Sequence, residues 1–457
     1  MDFSLSYLFG ITKNSDRQLL VATSIIISTL IADITIIRIS DLIADKTTSI
    51  DIFILISAIS LIGQNLILRI IRQRARKSKT IYKNLYLNII GKIATLVHYG
   101  LAAIILLVIL QMLISSSYST VMLIAAITIS YAFSIAMTIF LGWKFLSWYK
   151  VNRNYVVLLY GLSSAMLVVN MAISSFLGNS ILLTKQDVIM PTDYSHPPVI
   201  YPGSEIYILN YAYILTTIFS FIVAWSATIA LLSHYSKKIG KFRYPIILTL
   251  PLAFFVSQFL AVSLNLLSPL LVSNPIFYGT LFTIIFTLTK PIGGIIFGIA
   301  FWIIARKISK DNLVRSYVII AACGFMLLFT SNQAVVLTFS FYPPFGLATI
   351  SFVGLSSYMI LVGIYYSALS VSQDTEIRRE IRRLAIKESK LLDIMGMAQM
   401  ENEIRHRVLH IVTANKSAME EDAGIDSSLC EDEIAQYLET VMVEIKIKKQ
   451  RKGDTVA

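Results

Sequence analysis

Long apolar runs alternate with short polar connections along almost the whole chain. A helix needs about 20 mostly apolar residues to cross a bilayer. Ten stretches meet that length, at 18–38, 50–71, 93–115, 120–142, 155–177, 207–233, 246–271, 279–304, 316–339 and 347–371. The pattern predicts an all-α protein: a polytopic transmembrane helix bundle of about ten helices over 1–371, followed by a short helical tail over 372–457. The first stretch is too long for a signal-peptide core and lacks a basic leader, so it reads as a retained helix.

Composition agrees with lipid as the solvent. Charged residues make up 14% of the chain and mean hydropathy is +0.71, whereas soluble domains carry about 25% charged residues. The net charge of +12 is unevenly placed, with 25 Lys+Arg and 10 Asp+Glu in 1–371 against 14 and 17 in 372–457. The basic excess thus lies in short loops, which argues for membrane orientation and against nucleic acid as a partner. With the N-terminus inside, 21 basic residues fall on the inner side (in 1–17, 69–92, 143–154, 234–245 and 305–315), and three (Arg38, Lys46, Lys185) fall outside. Both termini are therefore expected in the cytoplasm of a cell-membrane protein. Trp143, Trp148 and Trp302 are expected at the inner interface.

Polar residues inside the spans are the candidate chemistry. Lys290 stands near the middle of the eighth stretch, followed by Pro291, Gly293 and Gly294, and shares a helical face with Thr280, Thr283 and Thr287. An intramembrane Lys costs about 2.5–3.5 kcal/mol on insertion scales, so a partner or water is implied. Two readings follow. A helix broken at Pro291 exposes backbone to a solute or ion, as in many transporters. Alternatively Pro291 is a tolerated kink, Gly294-x-x-x-Gly298 a close-packing motif, and Lys290 one member of an ion pair. Asp33, the only acid well inside a span, is a candidate counter-charge; it also has Thr29 one turn back as a possible partner. Ser331, Asn332 and Gln333 in the ninth stretch, and Gln258 with Asn265 in the seventh, read as interhelical hydrogen-bonding groups or as a polar cavity shared with Lys290. His98 reads as a proton relay or a packing residue. Ala126, Ser130, Ser134 and Thr138, four apart, form a small-residue packing face.

Other features are weaker. The outer connection 178–206 contains four prolines, which forbid a regular helix and leave it a lid or a plain connector. Apolar residues in 1–17 suggest an interfacial segment or a frayed end. Five plus five helices would permit an inverted repeat, although no motif matches between the halves. No nucleotide-binding fingerprint, metal-ligand spacing or nucleophile elbow occurs. His406 and His410 lack the glutamate of a zinc-peptidase helix. No catalytic residues, metal or cofactor are therefore expected, and the chain is not read as an enzyme. Cys323 and Cys430 form no disulfide framework.

The tail is charged and amphipathic. Arg378, Arg379, Arg382 and Arg383 follow the last span and suit anionic headgroups. Ile377, Ile381, Leu384 and Leu391, then Ile404, Val408 and Ile411, mark helical stripes that read as a possible coiled coil, interrupted near Gly396. Ser428-x-x-Glu431 is a capping-box signal for a last helix ending in the basic run 446–452. Thr375 through Val408, with Ser389-Lys-Leu-Leu-Asp-Ile-Met-Gly-Met-Ala-Gln-Met-Glu-Asn-Glu-Ile404, resembles the tail of multi-pass membrane proteins of ammonia-oxidising archaea. That resemblance implies membrane location and no particular activity. Three functions are compatible with the sequence: a sensor or scaffold whose tail docks a cytoplasmic partner, a secondary transporter or channel built on a broken eighth helix, and an accessory subunit of a membrane complex.

Overall fold

The computed structural model describes residues 15–39, 46–79, 85–190, 203–233, 243–263, 269, 273–309, 312–339, 342–387 and 391–423. The elements are α1 (Ser15–Ile39), α2 (Lys46–Lys79), α3 (Leu85–Ser115), β1 (Tyr118–Ser119), α4 (Thr120–Asn152), α5 (Tyr155–Leu183), β2 (Val188–Ile189), α6 (Glu205–Leu232), α7 (Arg243–Ser263), α8 (Pro275–Lys307), α9 (Leu313–Ser331), α10 (Ala334–Phe339), α11 (Leu347–Gln373), α12 (Thr375–Lys387) and α13 (Leu391–Ala423). The chain is an all-α polytopic bundle. Among the described residues, nine helices are long and apolar enough to cross a membrane, with α9 and α10 together forming one of them. The remaining expected stretch, 246–271, corresponds to α7, which has Pro251 inside it and a shorter apolar core, Leu248–Ser257.

Helix starts follow local side-chain chemistry. Asn154, Ser204, Asn274 and Asn312 each accept a hydrogen bond from a first-turn N–H of α5, α6, α8 and α9, satisfying donors that have no partner within the helix. Between α4 and α5 the turn is only two residues long, because Arg153 takes a left-handed conformation at φ 44° and donates its N–H to Tyr149 O.

Contacts at the helix ends define two faces. On one, Asp16 of α1 accepts from Arg74 of α2 at 2.7 Å and from Ser316 of α9 at 3.0 Å. The tail helices pack on this same tail face. On the far face β1 pairs antiparallel with β2, and Thr120 N donates to Asp187 O at 3.0 Å. That pairing pins the start of the long connection 178–206; its first residues, 178–183, are still α5, and its segment 191–202 lies outside the described residues.

α11 is the axis of the molecule. Every residue from Leu347 to Ser372 is buried, with α9, α4 and the tail helix α13 as its main neighbours. Backbones approach closely there. A Cβ on Gly363 would lie 2.5 Å from Ala321 N and 2.6 Å from Tyr317 O. The small face of α4 packs on α11 as its spacing predicts, with Ser130 Oγ donating to Ile350 O at 2.7 Å.

The tail differs from its sequence reading in two respects. α13 runs unbroken through Gly396, whose missing side chain makes room for Val371; a Cβ would lie 2.3 Å from Val371 Cγ1. Trp148 is fully buried rather than interfacial, and its Nε1 donates to Gln399 Oε1 at 3.1 Å. Asn152 Nδ2 reaches Ile394 O at 2.9 Å and Asn402 Nδ2 reaches Ser147 Oγ at 3.0 Å, so α13 is docked along the end of α4. The readings of 1–14 and of the capping-box helix after Ser428, with Cys430, lie outside the described residues.

Candidate functional site

The broken span is the ninth, not the eighth. α8 continues through Lys290 and Pro291, so the loss of one backbone hydrogen bond at Pro291 is absorbed without interruption. Gly294 and Gly298 are packing positions, since Cβ atoms there would lie 3.1 Å from Met326 O and 2.6 Å from Ala322 O of α9. A Cβ on Gly293 would meet the Phe221 ring at 2.2 Å. These distances favour the packing reading of the glycines.

α9 ends at Ser331. Asn332 has φ −75° and ψ 67°, and Gln333 N donates to Ser331 O at 2.8 Å, which is an inverse γ-turn. Short polar side chains compete with the helix for backbone groups, and here three of them stand in succession. Gln333 Nε2 turns back onto Thr330 O at 3.2 Å, satisfying one of the carbonyls released by the turn.

Polar groups from four other helices converge on this turn. The Tyr131 hydroxyl of α4 donates to Asn332 Oδ1 at 3.0 Å and accepts from Ala334 N at 3.0 Å, so it bridges the interruption. Asn332 Nδ2 donates to Asn170 Oδ1 of α5 at 3.0 Å. Asn170 Nδ2 in turn donates to Thr217 Oγ1 of α6 at 2.9 Å and to Thr216 Oγ1 at 3.3 Å. Lys290 of α8 donates to Tyr213 Oη at 2.8 Å and to Asn332 O at 3.2 Å; its Nζ stands 5.0 Å from the Tyr213 ring centroid. The acceptor Asn332 O belongs to the cap of α9, where the helix dipole is negative. A cation held there gains from both the hydrogen bond and the dipole.

Of the intramembrane residues singled out by sequence, Lys290, Asn332 and Gln333 come together at the turn. Pro291 and the two glycines shape the neighbouring helix contact. Asp33 is elsewhere. Its Oδ1 accepts from Gly346 N at 3.0 Å, and its Oδ2 from Thr349 N at 3.1 Å and Thr349 Oγ1 at 2.7 Å. Gly346, at φ 93°, has no side chain with which to cap α11, and Asp33 supplies the cap from α1. Thr29 bonds Ile25 O instead. No ion pair joins Asp33 to Lys290 among the described residues. The side chains of Thr280, Thr283, Thr287, Gln258 and Asn265 lie outside the described set. His98 is buried on α3, beside Tyr99 and away from the network.

Tyr131, Asn170, Tyr213 and Thr217 complete the site and did not stand out in the sequence. Asn170 carried a usable signal, being an amide within an apolar span like Asn332. Within two turns toward the tail face, a cavity of about 10 Å³, the size of one water, is lined by Thr138, Ser163, Ser164 and Ser357 among others.

Of the tail arginines, Arg378 is drawn into the fold. Arg378 donates to Val371 O at 3.2 Å and also to Ser372 O, capping the C-terminal end of α11. Arg382 Nε lies 3.8 Å from Asp393 Oδ1, and its Nη2 reaches Met397 Sδ at 3.3 Å. Arg379 is exposed and remains available to headgroups, while the Arg383 side chain lies outside the described residues. Glu380 straps the α8–α9 connection, accepting from Ser309 N at 3.1 Å and from Asn312 Nδ2 at 2.7 Å.

No protein-family model matches the chain, and no curated protein or solved structure matches it either.

Proposed function

We propose that the protein is a cell-membrane sensor in which the polar site at the α9 interruption binds a solute and the docked tail passes the response to a cytoplasmic partner. One observation carries this reading. α11 is buried from end to end, packs along α9 beside the interruption, and meets Gly396 of α13 at Val371. Packed helices have discrete arrangements rather than a continuum, so a shift of α9 against α11 is available to the tail. Beyond the docked turns, Ile404 and Ile411 of α13 are exposed and offer the partner an apolar stripe together with Val408. The basic residues that favour the inner side support a cytoplasmic tail face and cytoplasmic termini. The tail sequence also supports membership among the archaeal membrane proteins it resembles.

The test is hydrogen exchange on the full chain in lipid nanodiscs. Lys290→Gln is expected to change amide exchange within 391–411. Unchanged exchange in that segment counts against a sensor.

A second reading, secondary transport, is favoured by the interrupted helix itself, because unwound carbonyls at mid-membrane are where transporters hold ions and substrates. Its test is a Cys at position 290, in a background with Cys323→Ser and Cys430→Ser, labelled with an impermeant thiol reagent from each side. Labelling from both sides supports transport, and labelling from one side only supports the sensor.

A further inference from the structure

We propose that the ligand of the Lys290 site is a small monovalent anion, a carboxylate or a halide. The inference rests on the reading of Lys290 as the centre of a solute site and names the chemical class that site takes. An ammonium has three donors, and two are used here, on Tyr213 Oη and Asn332 O. Both acceptors are neutral, so they solvate the charge without cancelling it. The residue is only partly buried, which leaves its third donor an approach.

No carboxylate pairs with Lys290 among the described residues. Asp33, the acid that would suit the role, has both oxygens committed to Gly346 and Thr349. Intramembrane charges are normally paired or aimed at a pathway, and attraction between opposite charges strengthens several-fold as the local dielectric falls. The counter-charge that the described residues do not supply is assigned to the ligand. Valence follows from the same inventory: one ammonium balances one negative charge, and a divalent anion would bring a surplus charge that no second cation meets among the residues described at the site. A free cation is repelled. The hydroxyls of Tyr213, Thr216 and Thr217 and the amide of Asn170, linked in one network, supply polar walls next to the ammonium.

The experiment compares thermal midpoints of the purified full chain in acetate, chloride and sulfate at matched ionic strength, for the wild type, Lys290→Gln and Lys290→Arg. General salt effects are common to all forms and subtract out. The wild-type midpoint is expected to rise about 2–4 °C more than that of Lys290→Gln in acetate or in chloride, and Lys290→Arg should retain the effect. A rise confined to acetate assigns a carboxylate, and one confined to chloride assigns a halide. Equal shifts in the wild type and Lys290→Gln, a rise in sulfate alone, or no shift in any salt overturns the proposal. Should Lys290→Gln fail to fold, the wild type suffices: reductive methylation of Lys290, followed by peptide mass spectrometry, should slow severalfold in acetate or chloride relative to sulfate, and equal rates overturn the proposal. A null result here with tail exchange still altered by Lys290→Gln removes the anion and leaves the sensor; anion binding with an unchanged tail does the reverse.

Discussion

Asp33 shows how far a single residue can be read from sequence. A carboxylate inside an apolar span is costly and therefore conspicuous, but two of its three donors are backbone N–H groups of Gly346 and Thr349, more than 300 positions away, and backbone donors carry no residue signature; the third is the Thr349 hydroxyl. The chemistry was visible and the partner was not. The same holds for Lys290, whose closer acceptor is a tyrosine and whose other is a main-chain carbonyl. Because Asp33 caps the buried start of α11, Asp33→Ala should lower stability by about 2 kcal/mol, within the range of a lost cap plus unsatisfied buried donors. Asp33→Asn keeps one acceptor and should lose about half as much. Unfolding midpoints of the purified variants check the order, and an Asp33→Ala variant as stable as the wild type would remove the capping role.

At the scale of elements, hydropathy identified the spans, and of the two readings of Pro291 the continuous, packed helix is the one found. Proline is the obvious helix breaker, yet α8 passes through Pro291, and Gly294 and Gly298 just beyond it pack closely on α9. The break falls at Asn332, whose side chain bonds outside its own helix: Tyr131 and Asn170 supply the partners, while Ser331 and Gln333 on either side bond back to Leu328 O and Thr330 O. If those bonds fix the turn, Asn332→Leu should destabilise the bundle by about 1–2 kcal/mol, and combining it with Asn170→Ala should cost less than the sum, with a coupling of about 0.6 kcal/mol. Strict additivity in the cycle would show that the two amides act separately. In the tail, burial raises the Asp393 carboxyl above its ordinary value, while Arg382 and Arg378 pull it back. A raised folded value means that the Asp393 contribution to docking is complete below the ordinary carboxylate range and is lost as pH rises through the raised value. Protection of α13 from proteolysis should therefore weaken from acid toward neutral pH, and Asp393→Asn should flatten that dependence.

For the whole molecule, the alternation of spans along the chain sorts helix ends into two faces, and the contacts of Asp16, Arg74 and Ser316 on one face and of β1 and β2 on the other follow that alternation. Nothing in hydropathy distinguishes a span facing lipid from one facing protein, since both are apolar. That is why the central position of α11 was illegible, although its run of small residues is what allows α9 and α4 to approach. The tail was legible as amphipathic but not as docked, because Gly396 reads as an interruption in a helix and acts instead as a contact. Gly396→Leu tests that architecture. A side chain there must displace Val371 or lift α13, and overpacking of this kind typically costs about 1–3 kcal/mol. The cost should fall mainly on docking, because α13 lies outside the spanning helices and joins their buried cluster through Leu391, Leu392, Met395 and Ala398. Cleavage within 391–411 should rise, and exchange at the α4 end around Trp148 should increase with it, while the thermal midpoint of the bundle stays near that of the wild type. A collapse of the bundle midpoint would instead make the tail an integral part of the fold, and an unchanged cleavage pattern would mean that α13 is held by its polar contacts to α4 rather than by its seat on α11.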